Sequence, residues 1–206
     1  MVITGGPAGF RPVLSVDVPL GEIEVMIAGG VGPELPRGAR CPGCGGLLRP
    51  WTRKGYLRWV RRNDVTSRIA LRRVKCYSCE RTHALRPSFL LEHRRDVVAA
   101  VGQALLMAAA GAGHRRVAGV VMVPAATARG WLARLREGLW RQRFTALAIE
   151  LGGGLARPPP SPGLAGLLEA LTLAYQAHCD RCGGVDPGGV WGFAACVSAG
   201  RLLAAT

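Results

Sequence analysis

The sequence is short of aromatic and acidic residues, and both shortages narrow the range of functions. Aromatic residues make up 6% of the 206, while Gly (29) and Pro (14) are frequent, so we do not expect ideal packing throughout. Only 13 residues are acidic, against 27 that are basic. No Ser/His/Asp set and no pair of carboxylates stands out as a catalytic centre. We therefore expect a protein that is not an enzyme.

Long apolar runs are missing as well. The longest candidate, residues 97–113, is short and rich in Ala and Gly, so we expect no membrane span. The N-terminus lacks a basic stretch followed by an apolar one, which argues against a signal peptide. We expect a cytoplasmic protein in a reducing compartment, where cysteines bind metal more often than they form disulfides.

Two Cys-x-x-Cys pairs stand at the ends of a basic segment, and they are the strongest motif in the chain. The first is Cys41 with Cys44, followed by two glycines, and the second is Cys76 with Cys79. Two such turns supply the four sulfurs of a tetrahedral Zn²⁺ site. Two disulfides or four unrelated buried thiols are the alternatives. His83 is an alternative ligand, although a strand histidine is the simpler interpretation.

A third pair, Cys179 and Cys182, has no matching second pair. His178 and Cys196 are its only candidate co-ligands. Whether this pair binds a second metal is left open.

The positive charge is concentrated around the cysteines. Residues 37–95 carry a net charge of +13 and residues 96–145 a net charge of +5, whereas the two ends are slightly negative. Charge runs are usually solvated surfaces. This uneven distribution, however, favours a polyanionic partner over a general effect on solubility.

Residues 41–88 are predicted to be a zinc ribbon with strands at 47–51, 56–61, 68–74 and 82–87. Trp51, Tyr56 and Trp59 alternate with arginines in this segment. These aromatics are either core residues beneath a charged face or stacking groups on a surface that contacts phosphates. A sheet this small needs its metal in order to fold.

Three helices are predicted next, at 92–110, 114–121 and 125–139, with a tight turn at 122–124. A short helix, a tight turn and a second helix opened by proline are typical of a helix-turn-helix, although an ordinary helical hairpin shares the pattern. Helical spacing places one set of side chains inward: Ala128, Trp131, Leu132 and Leu135. The set expected to face outward is Ala125, Ala126, Arg129, Gly130 and Arg134.

The predicted fold class is α+β: a small zinc-ribbon β module, then a helical helix-turn-helix domain and a short helical tail. The predicted divisions are an N-terminal arm (1–40), the ribbon (41–88), the helix-turn-helix domain (89–145), a Gly/Pro linker (146–162) and the tail (163–206). The arm contains one or two edge strands, at 13–18 and 23–28, or is poorly ordered. The tail has helices at 163–178 and 190–203, which we expect to pack on the rest, on another copy of the chain or on a protein partner.

Three segments together resemble a known arrangement: residues 41–46, residues 73–83 and residues 124–132. They are similar to the zinc-ribbon plus helix-turn-helix front end of insertion-sequence transposases. More closely, they resemble a group of actinobacterial proteins of unknown function with this head and a short tail. The resemblance covers most of residues 41–140 and implies DNA binding, without implying a cellular role.

Transposase catalysis requires three acidic residues on a large catalytic domain. The acids after the predicted helix-turn-helix are Glu150, Glu169, Asp180 and Asp186, in about sixty residues interrupted by prolines. This stretch is too short for such a domain, so the chain is not a complete transposase.

The leading hypothesis is a non-catalytic protein that binds double-stranded DNA, such as a transcriptional regulator or a mobile-element remnant. The alternatives are a protein-binding accessory subunit of a transposase or recombinase, and an RNA-binding zinc-ribbon protein. The predicted zinc ligands are Cys41, Cys44, Cys76 and Cys79. The predicted DNA contacts are Arg58, Arg61, Arg62, Arg72, Arg73, Arg115, Arg116, Ala125, Ala126, Thr127, Arg129 and Arg134.

Overall fold

The computed structural model describes residues 2–3, 14–51, 55–153, 161–182 and 188–203. The chain divides into two units, Met1–Val98 with Pro187–Arg201 and Ala99–Asp186 with Leu202–Thr206. We call the first the β unit and the second the helical unit. The fold is therefore mixed α and β.

The strands, in chain order, are β1 (Val2–Ile3), β2 (Leu14–Val16), β3 (Leu48–Pro50), β4 (Tyr56–Arg62), β5 (Val65–Leu71), β6 (Arg73–Cys76) and β7 (Thr82–Pro87). The helices are α1 (Leu20–Gly29), α2 (Val98–Ala109), α3 (His114–Val120), α4 (Ala125–Arg136), α5 (Leu139–Leu151), α6 (Gly163–Arg181) and α7 (Gly189–Val197). None of the helices among the described residues is long and apolar enough to cross a membrane.

Two sheets form the β unit. The larger has the strand order β1-β2-β7-β6-β3, in which β2 and β7 run parallel and the other neighbours run antiparallel. The smaller is the antiparallel hairpin of β4 and β5, which turns at Asn63 with a φ of 54°. A left-handed conformation at the turn suits asparagine better than most residues, because its side chain tolerates positive φ.

The core of the β unit includes the cysteines themselves. Cys41 and Cys76 are buried in one cluster with Leu48, Val74 and Leu85. Val74 and Cys76 alternate along β6, so both point to the same face of the sheet. The apolar core and the cysteine site therefore share residues.

The segment around α7 completes the β unit from the far end of the chain. The backbone N–H of Glu92 donates to the carbonyl of Gly200 at 2.7 Å, and Arg201 pairs with the Glu92 carboxylate at 2.8 Å. The thiol of Cys196 in α7 donates to Asp17 Oδ1 at 3.1 Å. Burial, followed by the nearby Asp17 carboxylate, raises the pKa of Cys196 well above its ordinary value, so this thiol keeps its proton.

In the helical unit, α5 packs along α6, α4 contacts α6, and α3 packs against α4. The rings of Trp140 and Phe144 lie 5.9 Å apart between centroids. The four residues of α4 predicted to face inward are all buried, which confirms the helical spacing: Ala128, Trp131, Leu132 and Leu135.

Several predicted elements are corrected by the structure. Residues 23–28 lie in α1 rather than in an edge strand. The predicted strand 68–74 is divided between β5 and β6, because the chain leaves one sheet and enters the other at Arg72. The strand at 82–87 is confirmed.

The predicted helices differ from those observed mainly at their ends. The helix predicted from residue 92 begins at Val98 in α2. The helix predicted over 125–139 ends at Arg136, because Gly138 adopts a left-handed φ of 82° and α5 starts afresh after it. The last helix ends at Val197 instead of residue 203. Residues 1 and 4–13 of the predicted arm and residues 154–160 of the predicted linker lie outside the described residues, and the predicted domain boundaries stay predictions.

Candidate metal centre and nucleic-acid interface

The four cysteines predicted from the paired motifs converge on one point. Their sulfur atoms, from Cys41, Cys44, Cys76 and Cys79, all lie within 4.8 Å of one another. Cys41 Sγ is 3.6 Å from Cys79 Sγ, and Cys44 Sγ is 3.5 Å from Cys76 Sγ. A tetrahedral Zn²⁺ with bonds of about 2.3 Å holds its sulfurs about 3.8 Å apart, so this set fits such an ion. The cluster could hold a metal ion.

Each pair of cysteines sits on a tight turn closed by backbone hydrogen bonds. The N–H of Cys41 donates to the carbonyl of Gly46 at 2.7 Å, and the N–H of Cys76 donates to the carbonyl of Arg81 at 2.9 Å. Gly45 has a φ of 71°, which a residue with a side chain rarely adopts. A Cβ on Gly46 would lie 3.1 Å from Cys76 Sγ and closer still to the hydroxyl of Ser78. The glycines after Cys44 thus shape the first turn and leave room for the second.

The backbone also prepares the thiols for a metal. The backbone N–H of Cys79, followed by that of Ser78, lowers the pKa of Cys76 to about 6 against the opposing effect of burial. At Cys44 the Gly46 amide acts in the same direction, but hydrogen bonds with Cys79 and Cys76 outweigh it and raise the pKa to about 12. Since a metal needs thiolates, its binding here releases protons and weakens as the pH falls.

His83 is buried on β7 beside the cluster. Its Nε2 lies 3.4 Å from Cys41 Sγ, a distance suited to a hydrogen bond with the thiolate. It is therefore a neighbour of the four-sulfur set. Hydrogen bonds of this kind orient a ligand and tune its basicity.

The third cysteine pair lies in a different setting. Cys179 and Cys182 are near the end of α6, and Cys182 Sγ is 3.8 Å from His178 Nε2. Cys196, the other candidate ligand, donates to Asp17 in the β unit. Within the described part of the chain, the four-cysteine cluster is the only group of three or more such side chains placed to hold a metal.

Most of the arginines predicted on the β unit contact the protein itself. The Arg58 guanidinium donates to the carbonyls of Leu91 and Arg94, the latter at 2.7 Å. Arg61 forms an ion pair of 2.6 Å with Asp96. Arg62 pairs with Glu24, and Arg72 pairs with Glu34 at 3.2 Å. Their contact with DNA stays a prediction.

The predicted contacts in the helical unit are more accessible. Arg115 and Arg116 on α3 are exposed, as are Ala125, Ala126 and Arg129 on α4. Thr127 and Arg134 are half-buried, and Arg134 donates to the carbonyl of Gly130 at 3.1 Å. Among the described residues, no acidic side chain pairs with Arg115, Arg116 or Arg129.

The turn between α3 and α4 is tight. Val121 and Val123 are buried, and the N–H of Val123 donates to the carbonyl of Ala118 at 3.1 Å. Met122 between them takes a φ of 56° and is exposed. Pro124 precedes the first residue of α4, and its carbonyl accepts from Thr127 at 2.9 Å. The turn thereby fixes how the two helices meet.

Trp51, Tyr56 and Trp59 lie at the surface, each beside a cation, which excludes the interpretation that these three are core residues. Lys75 lies 4.7 Å from the ring centroid of Trp51, Arg73 lies 5.7 Å from that of Tyr56, and Arg68 lies 4.3 Å from that of Trp59. A fourth exposed ring, that of Tyr77, was not singled out from the sequence, and Arg49 lies 4.6 Å from its centroid. The alternation of Arg73, Lys75 and Tyr77 along the chain was the signal that could have revealed it.

Comparison with known proteins gives one match. Residues 41–113 match the model of a domain of unknown function (DUF6431), a span that contains all four clustered cysteines and runs to the end of the loop after α2. No curated protein and no solved structure matches the chain.

Proposed function

We propose that this protein is a non-catalytic DNA-binding protein in which a zinc ribbon is joined to a helix-turn-helix. The observation that carries the proposal is that three arginines on α3 and α4 are exposed and unpaired with any acid: Arg115, Arg116 and Arg129, as far as the described residues show. The protein that carries them has a net charge of +14. Exposed cations that the fold does not neutralise are available to a polyanion.

Zinc is the metal assigned to the four cysteines. Soft thiolate ligands select zinc over Mg²⁺ or Ca²⁺, and four of them close its tetrahedral shell. Cys41, Cys44, Cys76 and Cys79 would hold the ion, which would link the turn before β3 to the turn before β7. The four thiolates leave no coordination position for a substrate, so this zinc would be structural.

The assignment of α4 as the helix that enters the major groove rests on its N-terminal residues. Ala125 and Ala126 are exposed and small, so the helix backbone can approach base edges closely. Arg129 follows one turn later and could donate two hydrogen bonds to guanine. Buried Trp131 and Leu135 on the opposite face hold the helix in place.

The phosphate contacts are assigned to Arg115 and Arg116 on α3 and to Arg73 on β6, all of which are exposed. Arg58 and Arg61 are assigned a structural part, since their guanidinium groups already bond within the β unit. Arg134, bonded to a carbonyl of its own helix, would add to the positive potential along α4.

A transcriptional regulator and a mobile-element remnant would both use such a pair of modules. The resemblance of residues 41–140 to the front end of insertion-sequence transposases supports this part of the proposal. A nucleoid location and zinc content would follow from it.

The test is fluorescence-anisotropy binding to duplex DNA from the region upstream of the gene, compared with scrambled DNA across a salt series. Arg129→Ala should reduce the preference for the upstream DNA by about tenfold, because a good bidentate base contact contributes about 1–3 kcal/mol. Arg136→Ala, at the other end of α4, is the matched control and should affect both DNAs alike, by no more than about threefold. Absence of binding at low salt would overturn the proposal.

A further inference from the structure

We infer that the outer face of β3 and β6 binds unpaired DNA bases by stacking. This inference rests on the proposed DNA-binding function and adds which form of DNA the protein prefers. The face consists of Arg49, Trp51, Arg73, Lys75 and Tyr77 in and next to β3 and β6, joined by Tyr56 of β4 through its contact with Arg73, and we call it the stacking face. Its aromatic members remain open to solvent: Trp51 is 47% exposed, Tyr56 39% and Tyr77 60%.

Strand register places these residues side by side. Arg49 on β3 is directly opposite Lys75 on β6, and Arg73 is two positions before Lys75, so all three point to the face opposite buried Val74 and Cys76. The N–H of Trp51 donates to the carbonyl of Arg73 at 2.9 Å, which continues the β3–β6 ladder beyond β3. The N–H of Tyr77 donates to the carbonyl of Leu47 at 2.9 Å and extends the ladder at its other end.

Each ring of the stacking face has one side occupied by a cation. Arg49 lies over Tyr77, Lys75 over Trp51 and Arg73 over Tyr56. With the Arg68–Trp59 pair, four such contacts fall within residues 49–77, whereas they occur about once per 70–80 residues in proteins generally. A cation fixes the ring in place without covering its second side.

The charge of the face suits a nucleic acid. Among the described residues, the one acid paired with its three cations is Glu80, whose carboxylate lies 3.4 Å from Lys75. The Nε of Arg49 is buried and has no hydrogen-bond partner among the described residues, and the guanidinium packs on the ring of Tyr77. Exposed rings interleaved with cations are the means by which proteins bind single strands, the rings stacking on bases and the cations contacting phosphates.

A fully paired duplex cannot use these rings, because its neighbouring base pairs already cover the faces of every base. The stacking face therefore selects DNA that contains a single-stranded segment, such as an overhang or a bubble. The arginines of α3 and α4 would bind the adjoining duplex in the same molecule of DNA.

The test compares the zinc-loaded full chain on three labelled DNAs of one sequence: a duplex, the same duplex with a short unpaired bubble, and the single strand. The bubble DNA should bind about tenfold more tightly than the duplex, since stacking of one base on a ring is worth about that factor. Trp51→Ala with Tyr77→Ala should remove this advantage and leave duplex binding unchanged. Trp59→Ala is the matched control, because Trp59 has an exposed ring beneath an arginine, but that arginine is Arg68, its partner within the β4–β5 hairpin, rather than a cation of β3 or β6.

The possible outcomes separate this inference from the proposed function. Equal binding of duplex and bubble DNA by the natural protein would overturn the stacking face and leave duplex recognition standing. No binding to any DNA would overturn the proposed function. Tighter binding of the matching single-stranded RNA than of single-stranded DNA would overturn the assignment of DNA as the partner.

A second readout does not depend on affinity. Bases stacked on Trp51 should quench tryptophan fluorescence, and Trp51→Ala should remove that component of the quenching while Trp59→Ala retains it. Metal content and circular dichroism of each variant check that the β unit has folded. Quenching that persists in a folded Trp51→Ala protein would contradict the inference.

Discussion

The arginines of the β unit and those of α3 and α4 differ in what surrounds them. In the β unit, Arg58 donates to backbone carbonyls and Arg61 pairs with buried Asp96. On α3 and α4, Arg115 and Arg129 are exposed and have no acidic partner in the described part of the chain. The β unit has the higher density of positive charge in the sequence, but part of that charge is bonded within the fold, whereas Arg115 and Arg129 keep theirs available.

This difference shows that charge density and charge availability are separate properties. A guanidinium that bonds inside the protein gives its hydrogen-bonding capacity to the fold, whereas an exposed one keeps it for a partner. Substitutions can test the division between arginines bonded within the fold and arginines available to a partner. Their expected effects range from unfolding of the β unit to almost no change.

Cys76→Ser should have the largest effect, the loss of the bound metal and of the fold of the β unit. A metal on these cysteines, as proposed, would contribute folding energy to the β unit, and removing one thiolate would open the four-sulfur set. Metal content by mass spectrometry and thermal unfolding followed by circular dichroism measure the result. Cys179→Ser on α6 is the control and should keep the full metal content. A soluble Cys76→Ser protein with undiminished zinc would contradict the site.

Arg58→Ala should lower the free energy of unfolding by about 2–3 kcal/mol, because it leaves the carbonyls of Leu91 and Arg94 without their charged donor. Urea unfolding measures this change. The matched control is Arg116→Ala, which should stay within about 0.5 kcal/mol of the natural protein because Arg116 is exposed. Equal losses in the two variants would break the division between structural and available arginines.

Replacing Arg115 and Arg116 together by Ala should weaken duplex binding about tenfold and make its salt dependence less steep. Each lost phosphate contact reduces the slope of log K against log salt by about 0.9, so the slope should fall by about 2. Anisotropy titrations at several salt concentrations measure both quantities. An unchanged slope would show that these two arginines do not contact phosphates.

Arg72→Ala should have the smallest effect. Its pair with Glu34, at 3.2 Å, is exposed to solvent, and such pairs contribute less than about 1 kcal/mol. We expect stability to change by less than about 0.5 kcal/mol and affinity to fall no more than about twofold, equally for all DNA sequences. Urea unfolding and anisotropy check the two parts. A large loss of affinity would show that Arg72 contacts DNA despite its pair with Glu34.

The four-cysteine cluster and the inner face of α4 could be predicted because each follows from a local repeat. Paired Cys-x-x-Cys turns place sulfurs in a fixed geometry, and helical spacing decides which side of α4 is buried. The sequence could not show that Arg72 separates two strands of different sheets. That division depends on β6 pairing with β3 and β7 rather than with β4, a tertiary choice.

The ion pairs could not be predicted from the sequence either. Arg61 and Asp96 are 35 residues apart, and nothing in the local pattern of either one identifies its partner. The exposure of Trp51 and Tyr77 was also undetermined, because alternating strands bury aromatics as readily as they expose them. Only the register of β3 with β6 decides which face carries them.

The return of α7 to the β unit affects the order in which the protein is made. The cysteine turns leave the ribosome early, but Cys196 and Arg201, which contact Asp17 and Glu92, follow only after α2 to α6 have been synthesised. Domains fold as units during translation, so these helices can begin to fold before the β unit is complete. During that interval the four thiols belong to an incomplete β unit, and if they take up zinc as proposed, its supply during translation would affect the yield of folded protein.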